Sequence, residues 1–417
     1  MSPGHGAAAR PAFSAHGVEL EYMIVDGASF AVRPLAPFLL QRDGRVVGEL
    51  RRGGVGWSNE LMSHVVELKN AEPVTALTEL PAAFRAEIRE MNARLAPLGA
   101  RLMPGGMHPW MDPRREAQLW THEHAAIYRS FDRIFDCRRH GWANLQSMHL
   151  NLPFGDDREF ARLHAAIRLA LPILPALSAS SPWADGRFSG FMDYRLEIYR
   201  HHQKIIPSTI GDCIPEPSAS PADYRAHVLE PMLRDVARHD ALLGEDAGSL
   251  SHEWIDVRAA APRFARNAIE IRVLDVQECP TADLSIAAAA TALARRLYER
   301  AGEDALPTAA LVAIFAACIR DAERAVVADH EYLARLGLPG RPHTAGELWA
   351  ELVETLAGDG LLAPCWLPAL RFILRRGTLA RRLDAALAGD PARLPAVCRE
   401  LCACLDADRM FPGDAAA

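Results

Sequence analysis

Short stretches in which apolar and polar residues alternate are set among longer ones in which apolar residues recur every three to four positions. Alternation, the mark of a strand with one buried face, runs through 16–26, 64–69, 101–104, 145–153 and 267–275. Residues 252–258 form a further candidate strand, and 30–40 hold a return strand or loop. The helical spacing covers 77–98, 114–139, 159–177 and 223–243. Turn residues fall between these runs: Asp26-Gly27, a flexible loop from Gly53 to Trp57, the Gly105-Gly106 turn, and a Ser/Pro/Gly-rich loop over 178–190. After Pro280 the pattern turns wholly helical, over 282–300, 308–328, 344–357, 366–388 and 393–405. Strands interleaved with helices and followed by a helical tail predict an α+β fold with a mostly antiparallel sheet. The expected organisation is a disordered leader over 1–13, a sheet-and-helix core over 14–281, and a helical C-terminal region over 282–417 packed on that core. No internal repeat is visible.

Within the strands, charges fall where alternation places them together. Glu19 and Glu21 leave one face of their strand; Val65, Glu67 and Lys69 share a face of theirs; Glu270 and Arg272 do the same in the run from Asn267 to Asp275. Charges in such apolar runs are costly unless something pairs with them. The strand 145–153 adds His149 on its polar face, and Glu60 follows the glycine-rich loop.

Composition narrows the chemistry. The chain has 417 residues, 50% hydrophobic and 24% charged, which is globular, and its net charge of −7 argues against nucleic acid or an anionic membrane as partner. Its eight cysteines form no CxxC pair, no apolar run reaches membrane-spanning length, and no secretory leader is read at the start. A cytoplasmic protein is expected. There is no GxxxxGK[ST] loop, no GxGxxG unit after a strand and no GxSxG elbow. What remains is a set of dispersed carboxylates, Glu19, Glu21, Glu60, Glu67 and Glu270, with His149. Oxygen-rich sets of this kind suit Mg2+ or Mn2+, shared with substrate phosphates, and arginines beside such ions hold phosphoryl oxygens. Taken singly, a Glu-x-Glu pair also fits a solvated face, His149 a core histidine, and Glu270 with Arg272 a structural ion pair.

The order of these stretches adds to that reading. Gly17-Val-Glu19-Leu-Glu21-Tyr22, Glu60 with Val66-Glu67-Leu-Lys69, Gly106-Met-His108-Pro109, Met148-His149-Leu-Asn151, the segment from Ser181 through Arg187 to Arg195, and Glu270-Ile-Arg272 occur in one sequence. That sequence resembles the glutamate–cysteine ligase family, including the bacterial carboxylate–amine ligases, over about residues 16–290. The resemblance implies a cup-shaped, mostly antiparallel sheet flanked by helices, related to glutamine synthetase. It implies ATP-dependent amide formation through an acyl phosphate, between the γ-carboxylate of glutamate and cysteine or another amine, with Mg2+ bridging the phosphates and a place in glutathione formation. By the same resemblance Glu19, Glu21, Glu60, Glu67, His149 and Glu270 are metal ligands, His149 lying near the nucleotide. Arg272 and Glu270 are the catalytic residues and work apart, Arg272 steadying the transferred phosphate and Glu270 on metal, and Arg187 and Arg195 bind phosphate or a substrate carboxylate. The implied partners are ATP, a glutamate-like carboxylate and an amine acceptor, with self-association left open. Met107 replaces the threonine usual in the ligases' Gly-Thr-His-Pro, and the stretch from Tyr199 to Pro207 departs from the family pattern, so the acceptor stays open. A metal-dependent phosphotransferase or ATPase on the same sheet, and a nucleotide-binding relative without catalysis, are the alternatives.

Overall fold

The computed structural model describes residues 9–246, 248–300 and 306–413. Eight strands form its main sheet: β1 (Gly17–Asp26), β2 (Glu49–Arg52), β3 (Val55–Asn59), β4 (Val65–Asn70), β5 (Ala100–Met103), β6 (Ser147–Pro153), β7 (Ala260–Arg263) and β8 (Ala268–Asp275). Their order is β7-β8-β6-β1-β4-β3-β2, with β5 beside the second half of β1, and every pairing is antiparallel. The fold is thus α+β with a mostly antiparallel sheet, as the alternation predicts.

One face of this sheet is apolar. Val18, Leu20, Tyr22 and Ile24 of β1, Val66 and Leu68 of β4, Leu150 and Leu152 of β6, and Ile269 and Ile271 of β8 are all fully buried there. Helices α1 (Leu80–Leu95), α2 (Asp157–Ala170) and α3 (Pro280–Arg300) pack on the sheet. In α1 the buried residues Leu80, Phe84, Ile88, Met91 and Leu95 form one stripe at helical spacing. Helix α3 is buried on nearly every side, as its alanine-rich sequence allows, and it lies between α2 and the C-terminal helices. Those helices tie back to the core through polar contacts. Arg101 meets Asp406 at 2.6 Å, and Thr281 donates its N–H to Asp408 at 2.9 Å. No helix among the described residues is long and apolar enough to cross a membrane.

Several local expectations change, among them the helix expected over 366–388, which breaks at Gly377, and the wholly helical tail, in which Val326–Val327 pairs with His343–Thr344. The supposed loop from Gly53 to Trp57 is the turn and return strand of the β2–β3 hairpin, with Gly53 at φ +64°. Its glycines hid the strand, because alternation cannot be read through residues without side chains. The helix expected over 114–139 splits into Pro113–Glu116 and Ala125–Phe135, broken where His124 turns to φ +68°. The strand expected at 252–258 instead starts at Ala260, after a helical turn; Pro262 is tolerated because β7 is an edge strand. Of the expected disordered leader, residues 1–8 lie outside the described residues. Its end is held in place: Ala12 donates its N–H to Glu159 at 2.7 Å, and Phe13 packs edge-on against Tyr298.

Candidate active site

Register decides which side chains meet on the other face of the sheet. Glu21 stands opposite Glu67, Glu19 opposite both Lys69 and His149, and Glu270 opposite Asn151. Because side chains alternate with period two, all of these project to one side. Glu60 joins them from the residue after β3, where the Asn59 amide is anchored on the Tyr128 hydroxyl at 2.8 Å.

Two groups of potential ligands result. Glu19, Glu67 and His149 can bring one atom each within 4.8 Å of one another, and so can Glu21, Glu60 and Glu67. Glu67 belongs to both. A mostly carboxylate donor set with one imidazole matches the preferences of Mg2+ and Mn2+. The electrostatics point the same way. Burial, together with the charges of Glu21, Glu67 and Glu19, pushes the Glu60 carboxyl well above its usual range. Glu67 is raised by burial too, although Lys69 at 3.1 Å opposes the shift. Burial acts in the same direction on Glu19, yet a hydrogen bond with His149 and the charges of His149 and Arg266 hold it low. Glu60 and Glu67 lack enough positive charge, and a divalent ion would supply it. Neutral neighbours orient them: Ser58 donates to Glu67 at 2.5 Å, the Ser147 backbone to Glu21 at 2.7 Å, and Asn151 to Glu19 at 3.2 Å.

Glu270 has a different environment from the one expected of a metal ligand. Arg263 forks onto it at 2.6 and 3.1 Å, and Arg272 closes on it from the other side. Burial would raise its carboxyl, but the two guanidinium groups hold it well below the usual range. It belongs to neither three-ligand group. The expectation that Glu270 and Arg272 work apart is therefore corrected: they pair, with Arg263 as a third member. Arg272 still reaches the site. It falls where the β8–β6 register shifts, a bulge that re-aims a side chain, and its Nε donates to the Tyr199 hydroxyl at 3.2 Å. Since Glu270 separates two guanidinium groups, Glu270→Ala should lower stability as well as activity. A loss of about 1–3 kcal/mol is expected, moderated by Arg272's access to the cleft, and chemical denaturation of the variant measures it.

Arg195 is buried behind this site. Its Nε is bound to Asp275, and its terminal nitrogens lie 3.4 and 3.5 Å from the Arg272 carbonyl. Asp275 also accepts from the Ser180 backbone and the Ser181 hydroxyl, each at 2.8 Å. Gly106 is needed beside it, because a Cβ there would come within 2.5 Å of the Asp275 carboxylate. Arg187 is not brought to the site. It is exposed on a small hairpin with Trp183 and Ala184 and borders neither cleft described next, which corrects its expected binding role.

Two clefts reach the carboxylates. One, with an empty volume of about 660 Å³, is lined by Glu21, Glu60, His149, Arg195 and Arg272 among apolar and aromatic residues. The other, about 1030 Å³, exposes Glu19 among His16, Lys69, Asn151 and Arg266. The acidic cluster stands between them. Sequence reasoning missed Arg263, Tyr199, Ser147 and Asp275 as members of the site. Only Asp275, at the end of the Glu270 strand, carried a readable signal.

Known proteins share this architecture. A profile of glutamate-cysteine ligase family 2 matches residues 15–385. An uncharacterized protein of Archaeoglobus fulgidus is 35% identical over 291 residues, which cover 70% of this chain and 76% of that one. A Rhodospirillum rubrum protein, provisionally named glutamate–cysteine ligase 2, is 28% identical over 89% of this chain and 88% of its own. In three dimensions the chain resembles a glutamate–cysteine ligase of Francisella tularensis solved in complex with AMP. The TM-score is 0.62 at 11% identity, over 96% of this chain and 90% of that one. A bifunctional glutathione synthetase of Pasteurella multocida gives 0.58 at 14% identity, over 94% and 52%. At such identities the structural likeness speaks for the fold, while the sequence match extends across strands and site alike: the chain belongs to glutamate-cysteine ligase family 2 and is a carboxylate–amine ligase.

Proposed function

We propose that the protein uses ATP to join the γ-carboxylate of glutamate, or a close analogue, to an amine through an acyl phosphate. The observation that carries this reading is the pair of three-ligand groups sharing Glu67, set between two clefts with Arg272 at the edge. Glu19, Glu67 and His149 would hold one Mg2+ ion, and Glu21, Glu60 and Glu67 a second. Bound there, the ions would neutralise the triphosphate and polarise the transferring phosphoryl group.

The protein's own residues do the rest. The larger cleft has room for the nucleotide, and its Lys69 and Arg266 lie beside Glu19 at the phosphate end. The smaller cleft receives the carboxylate substrate. Arg272 extends a guanidinium toward oxygens that gain charge as the phosphoryl group moves, and Glu270 and Tyr199 fix its direction. Arg195, locked on Asp275, gives the same cleft a second, immobile cation for a substrate carboxylate. Leu61, Met62 and Trp142 wall the cleft and restrict water, which would otherwise hydrolyse an acyl phosphate before the amine attacks.

The test is incubation with ATP, Mg2+, glutamate and a pool of amines, with mass spectrometry of the products. An amide formed in step with ADP and phosphate, and abolished by EDTA, is the expected result. Release of ADP that never depends on added carboxylate and amine would overturn the reading, as would a stable phosphorylated product without amide.

A further inference from the structure

The smaller cleft has a side that metal and phosphate chemistry leave unused. It is formed by Leu61, Met62, Trp142, Leu145, Val257 and His202. His202 lies in the stretch after Tyr199 that departs from the family pattern. Its ring stacks on Tyr199, with centroids 4.8 Å apart and planes at 30°, and meets Trp142 edge-on at 4.7 Å. Gly141 makes this packing possible, since a Cβ there would stand 2.6 Å from the Cβ of His202.

The tautomer of His202 is fixed by a single contact. Its Nδ1 is bound to the Tyr199 carbonyl, which can only accept, so Nδ1 carries the proton and Nε2 keeps a lone pair. Among the described residues no protein group donates to that lone pair. Burial lowers the ring's pKa to about 4, and the charge of Arg272 adds to the effect, so the imidazole is neutral at physiological pH. The charged groups of the cleft already have work: Glu21 and Glu60 face the metal positions, Arg195 is held by Asp275, and Arg272 by Glu270 and Tyr199. What is left for the acceptor is the His202 Nε2 lone pair and the unpaired Trp142 indole N–H among apolar and aromatic surfaces. An unpaired acceptor that opens on the cleft suits a ligand with an N–H to give, and apolar walls favour an apolar body.

We propose that His202 Nε2 accepts a hydrogen bond from the nucleophilic nitrogen of the acceptor, and that this acceptor is a primary amine bearing an apolar or aromatic substituent. The inference rests on the ligase reading for the word acceptor, and on the cleft alone for the binding. His202 is a specificity residue here, and proton removal from the amine is not assigned to it.

The experiment uses the full chain with 2-phenylethylamine as probe and cysteine as comparator. Imidazole ¹⁵N–¹H spectra are recorded during titration, His202 being assigned by its loss in His202→Phe. The expected result is a shift of the Nε2 resonance on adding 2-phenylethylamine, with the Nδ1 proton retained. His202→Phe keeps the ring packing but not the lone pair, and should bind the probe roughly tenfold more weakly, the worth of one hydrogen bond. His202→Gln, whose amide oxygen can accept, should recover part of the loss. With ATP and glutamate present, the KM for the amine should rise in His202→Phe while the KM for ATP does not move. Equal binding by wild type and His202→Phe, or tighter binding of cysteine than of the probe, overturns the proposal. Should His202→Phe misfold, loss of the resonance in His202→Gln assigns it instead, and an unmoved Nε2 resonance in the wild type then overturns the proposal while a shifted one supports it. Binding at His202 without any amide product supports this site and overturns the ligase reading, so the two failures are distinct.

Discussion

Glu67→Gln should reduce ATP-dependent amide formation by about 10³-fold, more than any other single change at a carboxylate. Metal polarisation contributes several kcal/mol to a phosphoryl transfer, and each 1.36 kcal/mol is a factor of ten. Glu67 is the one residue common to both ligand groups, so on the proposed assignment its amide would weaken two ions together. The measurement pairs turnover with Mn2+ binding by calorimetry: Glu67→Gln should lose strong binding at both positions, whereas Glu60→Gln should keep the Glu19–Glu67–His149 position. The same variant should melt no lower than wild type in metal-free buffer. Folding raises the pKa of Glu67, so the ionised form is disfavoured in the fold above the unfolded pKa, and a neutral amide removes that penalty. Activity within tenfold of wild type would refute the shared-ligand assignment.

Asp275→Ala should destabilise the protein by roughly 3–5 kcal/mol, the usual consequence of stranding one partner of a buried ion pair. Asp275 and Arg195 have side chains 0% and 1% exposed, so no water replaces the lost carboxylate. The serine contacts are lost at the same time: the Ser180 backbone and the Ser181 hydroxyl both donate to Asp275. Asp275→Asn fills the space and leaves Asp193, whose charge also acts on Arg195, as the remaining counter-charge, and should destabilise less than the alanine variant. The midpoint of urea denaturation checks both. A second readout separates position from stability: at a temperature where the variant is still folded, the KM for the carboxylate substrate should rise while the KM for ATP holds. A change under 1 kcal/mol would mean that the Arg195 network does not hold this side of the cleft.

The parts legible in the sequence were those that follow from alternation. Glu19, Glu21, Glu67, His149 and Arg272 occupy strands whose apolar partners, such as Leu20, Leu68 and Leu150, fix which way each charge must face. The ordered set of short motifs then tied Glu60, which lies past a strand end, to the same site. Contacts made by residues with no periodic context were not legible. Arg263 belongs to the Ala-Ala-Pro-Arg edge strand, whose pattern carries no face, yet it shares Glu270 with Arg272. Arg187 shows the reverse error: a motif position implied a role, while a tight hairpin holds the side chain away from both clefts. The β2–β3 hairpin was hidden by glycines, and the split of the helix expected over 114–139 by an αL residue that leaves no compositional mark.

The division between strand and helix within the site bears on how this protein could be re-purposed. The residues proposed for phosphoryl transfer on β1, β4, β6 and β8 are clamped by ladder hydrogen bonds, where a shift of one register position would turn each strand carboxylate into the core. On the proposed reading two of the amine-facing residues, Trp142 and His202, come from elsewhere, from the short helix His140–Ala143 and the turn after Tyr199. These segments can be exchanged without moving the ladder. Grafting the equivalent segments of a relative should therefore transplant the choice of amine while leaving the activating half-reaction running, making the chain a chassis for new amide bonds.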